Sequence, residues 1–77
     1  MIGLQPIPVM TGMDDREGRL ILVDGSLVAV IVRLDDPEHG THVGKWFLEA
    51  SFSPRHSPAA LFDSPDDAAA WVAGQIR

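Results

Sequence analysis

RLILV-DG-SLVAVIVRL, residues 19–34, carries the strongest structural signal in this chain. Two aliphatic runs flank Asp24 and Gly25, a pair favoured in two-residue hairpin turns because both positions need positive φ, which glycine adopts freely and aspartate tolerates. The stretch therefore predicts an antiparallel hairpin. With a two-residue turn, we expect Ile21 to lie opposite Val28.

A third strand is predicted after the hairpin. In residues 43–53, VGKWFLEASFS, apolar and polar side chains alternate. The apolar positions that share one face are Trp46, Leu48, Ala50 and Phe52. Pro54 and Pro58 end the pattern, so residues 54–60 are expected to form an irregular connection.

The clearest single element is a helix near the C-terminus. Ser64 can cap the free N–H groups of a helix that begins at Pro65, and Asp66 and Asp67 lie where the helix dipole favours negative charge. At 100° per residue, one face carries the side chains that we expect to lie on the sheet. They are Pro65, Ala68, Ala69, Val72 and Ile76.

The N-terminal residues 1–18 form a loosely ordered segment in this interpretation. Pro6 and Pro8 cannot donate to a sheet ladder, so residues 7–10 are at most a short edge strand. Residues 19–77 then form a single βββα domain. The predicted fold class is α+β with two layers: a three-stranded antiparallel meander, with at most a short fourth N-terminal edge strand, packed against one C-terminal helix.

Composition limits the function further. Seventy-seven residues suffice for one core, and there is no cysteine for disulfides or thiolate metal sites. The net charge of −5, without a cluster of basic residues, weighs against nucleic acid as a partner. The longest nearly apolar stretch, residues 27–32, is far shorter than the roughly 20 residues that cross a bilayer, and no signal-peptide pattern is visible. A cytoplasmic location, without a membrane, is the default expectation.

The loop of residues 35–42 is the best candidate for metal chemistry, because His39 and His42 stand there among three carboxylates. Such a pair in a loop lacks the fixed geometry of two histidines one helical turn apart, and a solvated turn accounts for the same residues. No nucleophile elbow, glycine-rich phosphate loop or zinc-protease motif occurs. We therefore expect no enzyme activity, no cofactor and no small-molecule substrate.

The hairpin points to a different role, because both of its faces are apolar. A sheet covered on one side only should alternate apolar with polar residues, and one helix cannot cover both sides. The residues expected on the uncovered face are Leu20, Leu22, Leu27, Ala29, Ile31 and Phe47. We expect this face to bind a second copy of the chain or another protein, unless residues 1–18 fold back over it. A one-residue bulge would exchange the two sets of side chains without removing the surplus.

The order of three strands and a helix, with GKW at residues 44–46 and FDSPDDA at residues 62–68, resembles the three-stranded DNA-reading domains of phage integrases and of plant transcription factors. The resemblance implies a sheet that presents basic residues on its open face. Here those positions would be Arg19, Arg33 and Lys45, set among aliphatic residues. A nucleic-acid-binding accessory domain is accordingly the alternative to the protein-interaction domain.

Overall fold

A computed structural model describes residues 1–52 and 60–75 and shows an α+β fold, as predicted. The strands are β1 (Ile2–Pro8), β2 (Glu17–Val23), β3 (Ser26–Arg33), β4 (Trp46–Ser51) and β5 (Leu61–Phe62), followed by the helix α1 (Pro65–Gln75). A short 3₁₀ helix, Pro37–His42, connects β3 to β4. The sheet is an antiparallel meander whose strand order equals the chain order, and its described part has five strands, where three and at most a short fourth N-terminal edge strand were expected.

Strand β1 is longer than expected and starts earlier, and it pairs with β2 along its whole length. The amide of Val9 donates to the carbonyl of Arg16 at 3.0 Å, so the odd-numbered residues of this segment direct their N–H groups toward β2. Pro6 and Pro8 are out of phase with them. Their missing N–H groups fall on the outer edge of the sheet, where no ladder bond is lost and where proline hinders pairing with another strand.

The hairpin between β2 and β3 forms as predicted, but its register shifts after the first two residue pairs, which are Val23 with Ser26 and Leu22 with Leu27. Asp24 and Gly25 have φ angles of 52° and 83°, as the two-residue turn requires. A bulge at Val28 then brings Ile21 opposite Ala29. Because side chains alternate between the two faces, this one-residue shift moves Ala29 and everything beyond it to the opposite face from the expected one.

A second bulge, at Glu49, changes the face of the sheet on which the later side chains of β4 lie. Trp46 and Leu48 are buried beneath the helix, but Ala50 lies opposite Val30 on the other face of the sheet. Phe52 is 71% exposed. The predicted alternation of β4 is therefore wrong beyond Leu48. The expected irregular connection falls mostly on residues 53–59, which lie outside the described residues, and β5 after it was not predicted.

Helix α1 begins at Pro65, as predicted, and the Ser64 hydroxyl accepts a hydrogen bond from the Asp67 amide at 3.1 Å. The Trp71 ring is half-buried at the edge of the core and contacts Phe62, with 5.6 Å between the ring centroids. Ile76 lies outside the described residues. The buried core between the helix and the sheet consists of Ile21, Ala29, Ile31, Trp46, Leu48, Ala68, Ala69 and Val72.

Candidate functional site

The sheet face turned away from α1, called the outer face below, is almost wholly apolar. Its side chains form three cross-strand rows, which are Ile7, Gly18, Val32, Phe47 and Leu61; Gln5, Leu20, Val30 and Ala50; and Gly3, Leu22 and Leu27. Gln5 is the one polar member of these rows. A sheet face in contact with water normally carries polar side chains, so this face has the composition of a covered surface.

The predicted interface residues are divided between the two faces of the sheet. Those on the outer face are Leu20, Leu22, Leu27 and Phe47, of which Leu27 is 40% exposed and the others are half-buried. Ala29 and Ile31 lie on the inner face, where both are 0% exposed beneath α1. Their expected place on the uncovered face is therefore wrong, because the bulge at Val28 exchanges the two sets of side chains in β3.

A buried carboxylate ties two loops together at one end of the outer face. Asp15, 4% exposed, accepts hydrogen bonds through Oδ1 from the backbone amides of Asp35 and Asp36, at 2.6 and 2.8 Å. Its Oδ2 lies 2.6 Å from Nε2 of His39. We call this group, the Asp15 carboxylate with its three donors, the Asp15 clasp. It joins the β1–β2 loop to the segment that follows β3.

Local hydrogen bonds hold both sides of the Asp15 clasp. The Thr11 hydroxyl donates to the Asp15 carbonyl at 2.9 Å and accepts from the Met13 amide at 3.2 Å. On the other side, the Asp36 carboxylate accepts from the Glu38 amide at 2.9 Å and so caps the 3₁₀ helix that carries His39. The orientation of His39 thus follows from a cap and a buried acceptor.

The Asp15 clasp also fixes a charge state. Desolvation acts to raise the pKa of Asp15, but hydrogen bonds from the Asp36 amide, the His39 ring and the Asp35 amide outweigh it, and the pKa lies below its usual value. Asp15 is therefore ionised near neutral pH and only accepts hydrogen bonds. Nε2 of His39 must then be the donor, which leaves Nδ1 as an acceptor when the ring is neutral.

Beside the Asp15 clasp lies an open pocket of about 390 Å³. It is lined by Thr11, Met13, Asp15, Val32, Leu34, His39, His42, Phe47, Glu49 and Leu61. The buried side chains of Val32 and Leu34 are part of the lining, and Glu49 is exposed. An apolar lining with a few polar groups is typical of small-ligand sites in proteins.

The histidines proposed as metal ligands, His39 and His42, both line this pocket. His39 is already bonded to Asp15 through Nε2. Within residues 1–52 and 60–75, no three His, Cys, Asp or Glu side chains lie close enough together to hold a metal ion. The histidine pair therefore lacks a third ligand in the described part of the chain.

The basic residues of the nucleic-acid alternative are each paired with a carboxylate. Arg19 lies 3.1 Å from Glu17 and stacks over the ring of Trp46, which places it on the inner side of the sheet. Arg33 pairs with Asp35 at 3.2 Å, and Lys45 pairs with Asp63. These three residues do not form a basic patch on the outer face, so nothing in this geometry favours the alternative.

Sequence reasoning missed Asp15 and Glu49. Asp15 is 24 residues from His39, and no local signal distinguishes it from its exposed neighbour Asp14. Glu49 belongs to the bulged part of β4, which the regular alternation did not reveal. The one available signal was the concentration of histidines and carboxylates in residues 35–42.

In the described ranges, no helix is both long enough and apolar enough to cross a membrane. Comparisons of this chain with protein-family models, with curated proteins and with solved structures found no match.

Proposed function

We propose that this chain is a self-associating protein-interaction domain and that a second copy covers the hairpin end of its outer face. The observation that carries the proposal is the pair of cross-strand rows built on Leu20 with Val30 and on Leu22 with Leu27. Leu27 is 40% exposed and the other three are half-buried. Covering such side chains stabilises an assembly by about 25 cal/mol for each Å² of apolar surface removed from water.

A second copy fits this surface because the two rows contain no charged residue. A partner of opposite charge would be selected by charge complementarity, which these rows do not offer, whereas two identical apolar surfaces meet without repulsion. Small domains also gain much from oligomerisation, because a chain of this size buries only about 60% of its unfolded surface.

The edge of the sheet favours the same arrangement. At Pro6 and Pro8 the free edge of β1 lacks N–H groups, which hinders the addition of another strand there. The outer faces of two copies would instead stack, about 10 Å apart, as sheets do in β-sandwiches.

Sedimentation velocity from low micromolar to near-millimolar protein tests the proposal. We expect the average mass to rise from one chain toward two. Leu27→Glu should keep the chain monomeric, because it places a charge in the contact. Val43→Glu is the matched control, since Val43 is 46% exposed, is apolar and lies away from the two rows. A wild-type chain that stays monomeric throughout, or equal dimerisation of both variants, would contradict the proposal.

A further inference from the structure

We propose that the pocket beside the Asp15 clasp binds a small organic cation, that is, an apolar body that carries a protonated amine. This inference goes beyond self-association, because the pocket is lined by Val32, Phe47 and Leu61 of the row that begins at Ile7, and no residue of the two rows proposed for self-association lines it. The observation that carries it is an apolar hollow of ligand size whose lining contains no lysine or arginine and contains the Glu49 carboxylate, which has no partner among the described residues.

The size and lining of the pocket fit the apolar body. Its volume of about 390 Å³ falls within the range of roughly 300–1,000 Å³ that is usual for small-molecule sites. Val32 and Leu34 offer buried aliphatic surface, 2% and 7% exposed, and Phe47 adds an aromatic ring. Met13 contributes a flexible thioether that adapts to irregular shapes. A ring or short alkyl group is the natural occupant of such a surface.

The polar wall is already in place before any ligand binds. Three hydrogen bonds of 2.6 to 2.8 Å hold the Asp15 carboxylate, and the His39 ring is fixed as one of its donors. A wall that does not need to be ordered on binding costs little conformational entropy, so even a small ligand retains measurable affinity.

The charge of the lining selects a cation. Glu49 has no hydrogen-bond or ion-pair partner in residues 1–52 and 60–75, and none of the ten lining residues is lysine or arginine. Because Nε2 of His39 donates to Asp15, the neutral ring offers only an acceptor to a ligand. The face of Phe47 can also attract a cation through its π electrons. An anion would find no countercharge here other than a protonated histidine, and it would meet Glu49.

Three probes of the same shape and different charge test the proposal: benzylamine, benzyl alcohol and benzoate. Titration of the full chain, followed by amide chemical shifts in two-dimensional NMR at neutral pH, should give a dissociation constant for benzylamine of about 1–10 mM, as expected for a ligand of this size. The shifts should concentrate at Leu34, Phe47 and Leu61. Benzyl alcohol should bind about two- to fivefold more weakly, which is the contribution of one exposed charge pair, and benzoate more weakly still.

Two variants assign the charge selectivity to Glu49. In Glu49→Gln, benzylamine should bind no more tightly than benzyl alcohol, whose affinity should be unchanged. Glu38→Gln removes the same charge from an exposed residue of the 3₁₀ helix outside the lining, and it should preserve the preference for the amine.

The proposal is overturned if benzylamine causes no saturable shifts at the lining residues, or if benzoate or benzyl alcohol binds as tightly. It is also overturned if Glu49→Gln keeps the preference for the amine. Self-association is measured by mass in the absence of any ligand, so either proposal can fail without the other.

Discussion

Replacing Asp15 with asparagine removes one charge from a side chain that is only 4% exposed and preserves its shape. The amide oxygen of asparagine can still accept from the Asp35 and Asp36 amides, but at about half the strength of a carboxylate. Its NH₂ group would face Nε2 of His39, so this contact is kept only if the ring moves its proton to Nδ1 and Nε2 becomes the acceptor. Each hydrogen bond to a charged group contributes about 1.5–3 kcal/mol, and part of the loss is offset because no charge is desolvated. We expect a net destabilisation of about 2 kcal/mol.

Urea unfolding at pH 7, followed by the fluorescence of Trp46 and Trp71, measures this difference. A domain of this length is expected to be stable by about 4–12 kcal/mol, so the variant still folds. In thermal unfolding, a loss of about 2 kcal/mol corresponds to a decrease in Tm of about 8–16 °C. Asp14→Asn is the matched control, because the same charge is removed one residue away, from an exposed side chain. Its effect should stay within about 0.5 kcal/mol.

The same comparison has a pH dependence of known sign. The pKa of Asp15 in the folded protein is lowered from 3.8, so its contribution to stability is fully present above about pH 4 and is lost as the pH falls through the folded value. The wild-type protein loses this contribution in acid and Asp15→Asn does not. The difference between their free energies of unfolding should therefore decrease as the pH falls. The reasoning is refuted if Asp15→Asn and Asp14→Asn have the same free energy of unfolding at pH 7. It is also refuted if the difference in free energy of unfolding between the wild-type protein and Asp15→Asn stays constant on acidification.

Three further substitutions can be measured by the same urea unfolding. Val72→Ala should lower the free energy of unfolding by about 2 kcal/mol, because this side chain is 1% exposed between helix and sheet and its truncation leaves a cavity. An unchanged urea midpoint would contradict the packing of the helix on the sheet at this position. Gly18→Ala should lower the free energy of unfolding by about 1–3 kcal/mol, because the added methyl group would lie 2.8 Å from a methyl of Val9 and 3.0 Å from the Ile7 carbonyl oxygen. A neutral or stabilising result would contradict the close approach of residues 7–9 to Gly18. Ser64→Ala should cost about 1 kcal/mol through loss of the helix cap, and equal stability would show that the cap is replaced by another group.

The parts of the fold that could be predicted from the sequence are those that depend on neighbouring residues. Asp24-Gly25 adopts the positive φ angles that its turn requires, and Ser64-Pro65 begins the helix, because both preferences are local properties of the backbone. The excess of apolar residues in the hairpin correctly indicated a second apolar face. It could not indicate which side chains occupy that face.

Tertiary structure decided the register and the candidate site. The bulge at Val28 is a matter of one residue, yet it moves Ala29 and Ile31 from the expected interface into the core, because side chains in a strand alternate with a period of two. β1 was underestimated for a similar reason: the effect of Pro6 and Pro8 depends on whether their missing N–H groups point toward β2 or away from it.

In the sequence, the outer face is visible only as a surplus of aliphatic residues in the hairpin. The structure divides this face into two regions, the apolar rows at its hairpin end and the pocket beside the Asp15 clasp. The amino-acid sequence alone established that both faces of the hairpin are apolar and that one helix can cover only one of them, because both statements depend only on composition and on the order of apolar residues. Only the folded chain brings Asp15 to His39 across 24 positions and sets Glu49 beside an apolar pocket. Contacts of that kind depend on where loops and bulges place each side chain in space, and no local preference encodes them.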